Sequence, residues 1–146
     1  MDKYEILKLE NQICFPLYAA AKEVVRTYQP FLEKLDLTYT QYIAMLVLWE
    51  KEQILIKELG KLLYLDSGTL TPLVKKLEIK GYVERIRPKE DERNLLIKLT
   101  DKGRNLKDQA LNIPFQVGSC INITQDEAIF LHQILNKILI STQEKD

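Results

Sequence analysis

The sequence predicts a mainly α-helical chain with one small β-hairpin, and three observations carry that expectation. Apolar residues recur at steps of three and four along most of the chain, the spacing that places them on one helix face. Thr38 stands three residues before Gln41, and Thr124 three before Glu127, the arrangement in which a hydroxyl and a carboxamide or carboxylate cap a helix start reciprocally. After Gly81 the period falls to two, in "YVERIR" and again in "NLLIKLT", which is strand spacing.

The elements follow in order. Leu9, Ile13, Leu17, Ala20, Val24 and Tyr28 outline a first helix over residues 5–28, which Pro30 is expected to end or bend. "DLTYTQYIAMLVLWE" opens a second helix at the Thr38–Gln41 cap, and the nearly unbroken apolar run from Tyr42 to Trp49 predicts deep burial. "ILIKELGKLLYL" reads as a short third helix entered from a small strand at Ile54 to Ile56. In "DSGTLTPLVKKLEIKG" Asp66 or Ser67 caps a fourth helix, Pro72 is expected in its first turn, and Gly81 closes it. Leu70, Leu73, Val74 and Leu77 form its apolar stripe, which leaves Ser67, Thr69, Thr71, Lys75 and Lys76 facing outward. The two alternating segments flank the polar turn "PKEDER". Thr100 then caps a helix running toward Pro114, and a last helix from Thr124 carries Ile129, Leu131, Leu135, Ile138 and Leu139. No internal repeat or linker interrupts residues 1–146, so a single subunit is expected.

Composition narrows the function. With 146 residues, 46% of them hydrophobic, the chain can bury a core. No apolar run is long enough to span a membrane, and "MDKYEILKLENQ" is charged with no signal-peptide core, so the expected location is cytoplasmic. Cys14 and Cys120 lie too far apart for a disulfide scaffold or a zinc spacing, and in a reducing cytosol they begin as thiols. No phosphate loop, triad pattern or metal motif is present; neither enzymatic activity, nor a cofactor, nor a metal is expected, and His132, the single histidine, reads as structural. Net charge is zero but uneven: from Lys61 to Arg104 there are 11 basic and 7 acidic residues, against 10 basic and 14 acidic in the remainder. A basic middle in an acidic frame is compatible with nucleic-acid binding and also with an ordinary solvated surface.

Order decides between them. Two short helices joined by a tight turn, the second rich in outward hydroxyls, followed by a basic hairpin, make a winged helix-turn-helix over about residues 36–104. An α-helix fits the major groove, where hydroxyls can meet phosphates or bases and Lys75 and Lys76 can neutralise phosphates. A β-arm tipped by Arg93 can enter a minor groove, where A·T-rich steps concentrate negative potential.

At this point "LYLDSGTLTPLVKKLE", with "DER" in the wing, resembles the MarR family of bacterial repressors. "KLENQICFPLYAA" and "LDLTYTQYIAMLVLWE" resemble its organic hydroperoxide resistance regulators. The similarity covers roughly the first 105 residues. It implies a homodimer, with dimerisation helices at about residues 5–35 and 105–142, bound to double-stranded DNA at an A·T-rich inverted repeat. It places Ser67, Thr69, Thr71 and Lys75 at the major groove and Arg93 in the minor groove, with Asp91 bracing the guanidinium through a charge-assisted hydrogen bond.

Cys14 is the residue on which the functional reading turns. Taken alone it is a small core residue; with the resemblance it is the peroxide sensor. A peroxide is attacked by a thiolate, and an ordinary cysteine, with a pKa near 8.5, is mostly protonated at neutral pH. A sensor therefore needs hydrogen-bond donors. Tyr18 lies one turn along, and the resemblance implies sulfur-contacting hydroxyls at Tyr28 and Tyr39. Fourteen residues separate Cys14 from Tyr28, roughly 21 Å along a continuous helix, so a Tyr28 that touches the sulfur must come from the other subunit. Cys120 falls where the two-cysteine members carry a resolving cysteine, which implies a bond to Cys14 of the partner chain; otherwise a small cellular thiol caps Cys14. Pro16 departs from the family pattern, which has an apolar non-proline residue there, and it is expected to kink the chain or shift the helix start beside Cys14. The expected function is a repressor that releases its operator when organic hydroperoxide oxidises Cys14. The rivals are a repressor answering to a small aromatic ligand, and a thiol peroxidase using Cys14 catalytically.

Overall fold

The computed structural model describes residues 2–89 and 94–143. Two short 3-10 turns, Glu5–Leu7 and Leu9–Asn11, lead into α1 (Cys14–Glu33), α2 (Tyr39–Lys51), β1 (Gln53–Leu55), α3 (Ile56–Leu63), α4 (Ser67–Ile79), β2 (Val83–Ile86), β3 (Leu96–Leu99), α5 (Asp101–Ala110), α6 (Ile113–Cys120) and α7 (Gln125–Gln143). The chain divides into two compact units, residues 1–114 and 115–146.

The first helix is not where its periodicity put it. It begins at Cys14 rather than residue 5, and it runs past Pro30 to Glu33. Pro16 sets the start. As the third helical residue it needs no amide hydrogen bond, since the first four N–H groups of a helix lack an intrahelical partner. A helix begun further upstream would have put it in the interior, without its bond to Gln12. Gln12 is instead extended, and its Nε2 donates to the Ile6 carbonyl at 2.7 Å, tying down the preceding turns. Pro30 costs about 3 kcal/mol inside a helix. Burial of Leu32 and Leu35 just beyond it offsets that, at about 1.5–3 kcal/mol each.

The α2 cap forms as the sequence indicates: Gln41 N donates to Thr38 Oγ1 at 3.3 Å and Thr38 N to Gln41 Oε1 at 3.1 Å. Ala44, Met45 and Leu48 are fully buried, with Tyr42 and Trp49 close to it; Leu46 departs from the expected burial at 43% exposure. The hairpin is part of a larger sheet. β1 spans Gln53–Leu55, one residue earlier than expected, and pairs antiparallel with β3, giving the order β1-β3-β2. Ile54 opposes Ile97, and Val83 opposes Leu99, so buried side chains pair across the strands.

Asp66 is the cap of α4, accepting from Thr69 N at 2.8 Å. Leu70, Leu73, Val74 and Leu77 are buried as the stripe requires. Pro72 is the sixth helical residue, not a first-turn one. Its missing N–H removes the helical bond to the Gly68 carbonyl, and Gly68 is exposed, so water can satisfy that oxygen. Gly81, with φ +85°, turns the chain into β2.

The helix capped by Thr100 stops at Ala110, and a separate helix, α6, takes Pro114 as its second residue, where proline is well tolerated. In the second unit, Thr124 and Glu127 cap α7 reciprocally at 2.8 and 3.1 Å. None of the side chains of α7 is buried; Ile129, Leu131 and Ile138 are all exposed.

Candidate functional site

The outward face of α4 is laid out as the sequence indicates. Ser67, Thr69, Lys75 and Lys76 are exposed and Thr71 is half-buried. The helix is tied to the wing at one side. Arg85 of β2 donates its backbone N–H and its Nε to the two carboxylate oxygens of Glu78, each at 3.0 Å. The backbone N–H of Arg85 and then its guanidinium hold the Glu78 carboxyl below the usual range. Asp91 and Arg93 lie outside the described residues.

Cys14 is exposed and is the first residue of α1, so its sulfur sits at the positive end of the helix dipole. Apolar side chains surround it in sequence and stand uncovered: Leu9, Ile13, Phe15 and Leu17, with Ile13 at 86% exposure. Tyr18, one turn on, is exposed, and Lys22 Nζ lies 5.2 Å from its ring centroid. Large apolar side chains left uncovered so close together in sequence mark an interaction face.

Tyr28 and Tyr39 meet each other and not Cys14. Their ring centroids are 4.9 Å apart, and Tyr42 completes a triangle at 5.7 Å from Tyr28 and 6.4 Å from Tyr39. Burial raises the pKa of all three hydroxyls above the ordinary tyrosine value, with the neighbouring tyrosines adding to it at Tyr28 and Tyr42. They remain protonated donors at neutral pH. Because α1 is unbroken from Cys14 to Glu33, Cys14 and Tyr28 of one chain lie about 21 Å apart along it. Tyr42 was legible only as a core aromatic; its offset of three from Tyr39, on the same helix face, was the available signal. Beside the cluster lies an open apolar hollow of about 370 Å³ lined by Tyr42, Leu46, Trp49, Lys107, Leu111 and Pro114.

Cys120, the last residue of α6, is exposed, with its thiol donating to the Gln116 carbonyl at 3.4 Å. His132 Nδ1 pairs with Asn136 at 3.2 Å. Among the described residues no group of three His, Cys, Asp or Glu side chains could hold a metal ion, and no helix is long and apolar enough to cross a membrane.

The family model for transcriptional regulators SarA/Rot matches residues 26–110. The organic hydroperoxide resistance transcriptional regulator of Bacillus subtilis is 46% identical over 133 residues, covering 91% of this chain and 88% of that one. The regulator SarZ of Staphylococcus haemolyticus is 53% identical over 119 residues, 82% of this chain and 81% of its own. The structure of reduced AbfR bound to DNA superposes with a TM-score of 0.78 at 33% identity, covering 97% of this chain and 99% of that one; disulfide-formed AbfR gives 0.64 at 34% identity, covering 97% of each. AbfR is a protein of Staphylococcus epidermidis.

Proposed function

We propose that this chain, which belongs to the SarA/Rot family of transcriptional regulators, is a homodimeric, redox-sensing repressor whose sensor thiol is Cys14. The observation that carries the reading is the separation of parts. An exposed thiol at the start of α1 stands among uncovered apolar side chains, while the half-buried hydroxyl donor Tyr28 lies about 21 Å down the same helix, in ring contact with the half-buried Tyr39 of α2. Each half lacks what the other has, and a second copy supplies it. The segments about 5–35 and 105–142 would make the dimer.

In the reduced state the two α4 helices would present Ser67, Thr69, Thr71, Lys75 and Lys76 to successive major grooves of an A·T-rich inverted repeat, with Asp91 and Arg93 in the wings. The Cys14 thiolate attacks the terminal oxygen of an organic hydroperoxide. The O–O bond breaks, an S–O bond forms, and the alcohol leaves with the proton. Sulfur is oxidised by two electrons and the peroxide reduced to alcohol. The sulfenic acid then condenses with Cys120 of the partner, or with a small thiol, forming the S–S bond and releasing water. Each thiol reacts once, so the protein signals in the cytoplasm and does not turn over peroxide as an enzyme. A loss of a few kcal/mol suffices for release, since specific and non-specific DNA binding differ by about 4–10 kcal/mol.

The test is a gel shift on an A·T-rich inverted repeat with dithiothreitol-reduced and cumene hydroperoxide-treated protein. Treated wild type should release the DNA and treated Cys14→Ser should hold it. Release by Cys14→Ser would replace this reading with a small-molecule signal, for which the hollow beside Tyr42 and Trp49 is the available space.

A further inference from the structure

We infer that Lys80 is a positioning residue that carries the state of the thiol site to the DNA-reading helix, an inference that rests on the redox reading above. Lys80 is the C-terminal cap residue of α4. Its ammonium group leaves its own helix and crosses to the start of α2. Nζ donates to the main-chain carbonyl of Asp36, in the turn between α1 and α2, and to Gln41 Oε1 at 3.0 Å; the Asp36 carboxylate is 3.6 Å away.

The acceptor is the informative partner. Gln41 is the buried polar side chain of the core among the described residues, 3% exposed. The same Oε1 that receives Lys80 also receives Thr38 N–H and so closes the α2 capping box. Tyr39 and Tyr42 stand on either side of Gln41 in that first turn. One turn of helix therefore carries two of the three clustered tyrosines and the grip on α4. A partner thiol changing size and charge against the tyrosines displaces that turn, and the shared oxygen passes the displacement to Lys80.

The far side of the joint is pinned. The Lys80 carbonyl accepts from Lys102 Nζ at 2.8 Å and the Gly81 carbonyl from Thr100 Oγ1 at 2.6 Å, both from the start of α5. The N-terminal end of α4 is capped by Asp66, from its own flank. A helix of 13 residues is about 20 Å long, so a tilt of about 5° at the Lys80 end moves the Ser67 end by nearly 2 Å, enough to spoil hydrogen bonds to DNA.

The experiment compares wild type, Lys80→Met, Lys80→Arg and Gln41→Met. For each, the operator Kd is measured for the reduced and the hydroperoxide-oxidised protein, with intact mass confirming equal oxidation of Cys14 and a melting curve confirming the fold. Wild type should show an oxidised-to-reduced Kd ratio well above one. In Lys80→Met and in Gln41→Met the ratio should fall about tenfold or more, within the usual range of coupling between sites. Lys80→Arg, which keeps a cation of similar reach, should restore most of it. A purely stabilising lysine would lower the melting temperature and leave the ratio alone. A folded Lys80→Met or Gln41→Met protein with the wild-type ratio overturns the inference. A wild-type ratio of one, in the arm that carries no substitution, overturns the redox reading and this inference with it.

Discussion

Trp49 Nε1 donates to the carbonyl of Gly103 at 2.9 Å, joining the end of α2 to the first turn of α5. The bond exists because α5 approaches so closely. A Cβ at residue 103 would lie 2.3 Å from the Tyr82 carbonyl oxygen and 2.8 Å from Leu99. This contact closes the sheet, α2 and α5 into one core.

Gly103→Ala is therefore expected to destabilise the protein, although alanine is the better helix former. The propensity gain is at most about 1 kcal/mol. Forcing a methyl against main chain costs typically about 1–3 kcal/mol, and here the Trp49 bond is strained as well. A net loss of about 1–3 kcal/mol is expected in urea denaturation followed by Trp49 fluorescence. A more stable Gly103→Ala protein would mean that α5 can retreat without loss.

A second prediction concerns acid. The folded-state pKa of Glu78 is depressed, first by the backbone N–H of Arg85 and then by its side chain. A depressed carboxylate contributes stability that is present above its unfolded value and is lost as pH falls through the folded one. The loss thus develops below about pH 4.5, the ordinary carboxylate range. The pair is partly exposed, so its contribution is that of a surface bridge, at most about 1 kcal/mol. Glu78→Gln should be slightly less stable than wild type at pH 7 and no less stable near pH 3. Parallel stability curves across that interval would remove Glu78 from the account.

These two cases show where the sequence is informative and where it stops. The caps at Thr38–Gln41 and Thr124–Glu127, the stripe of α4 and the strand periodicity all rest on local spacing, and each forms as spacing predicts. Periodicity starts α1 too early because apolar residues at helical spacing continue upstream of Cys14, while Pro16 tolerates only a first-turn place. α6 was missed because Pro114 reads as a stop but serves as a start. The small strand before α3 was legible, but the pairing of β1 with β3, the Trp49–Gly103 bond and the Lys80–Gln41 grip join residues 39 or more positions apart, which no local pattern announces. At the site, the exposed face of α4 was legible from its periodicity. The association of Tyr42 with Tyr28 and Tyr39 was not, because an aromatic run in a buried helix looks the same whether or not it lines a site.

A third prediction separates positioning from charge on α4. Lys75 is an exposed cation beside exposed hydroxyls. If it meets a phosphate, Lys75→Ala should weaken binding to specific and unrelated DNA alike. It should also lower the slope of log K against log salt by about one. Thr69→Ala should leave that slope unchanged and lose affinity mainly for the operator. Fluorescence anisotropy titrations between about 50 and 200 mM salt measure both. An unchanged slope in Lys75→Ala would place that lysine away from the backbone.

The last prediction tests whether the sensor is assembled between subunits. In the proposed sensor a Tyr28 hydroxyl bonds the Cys14 thiolate; a hydrogen bond to a charged group contributes about 1.5–3 kcal/mol, so its removal should slow oxidation by at least about tenfold. Tyr28→Phe homodimers should react that slowly at pH 7. Burial keeps the pKa of Tyr28 above the ordinary tyrosine value, so its donor persists up to about pH 10 and the wild-type rate should show no tyrosine-linked fall below that. Mixed dimers make the decisive comparison. In a dimer of one Cys14→Ser chain and one Tyr28→Phe chain, the surviving thiol faces the Tyr28 of the Cys14→Ser partner if the site crosses the interface, and it should oxidise at the wild-type rate. If the site lies within one chain, that thiol shares its chain with phenylalanine and should react as slowly as in the Tyr28→Phe homodimer. Stopped-flow oxidation by cumene hydroperoxide, with the mixed dimer isolated by two affinity tags, distinguishes the two rates. With Cys14 and Tyr28 of one chain about 21 Å apart along an unbroken α1, the proposed site is expected to give the fast one.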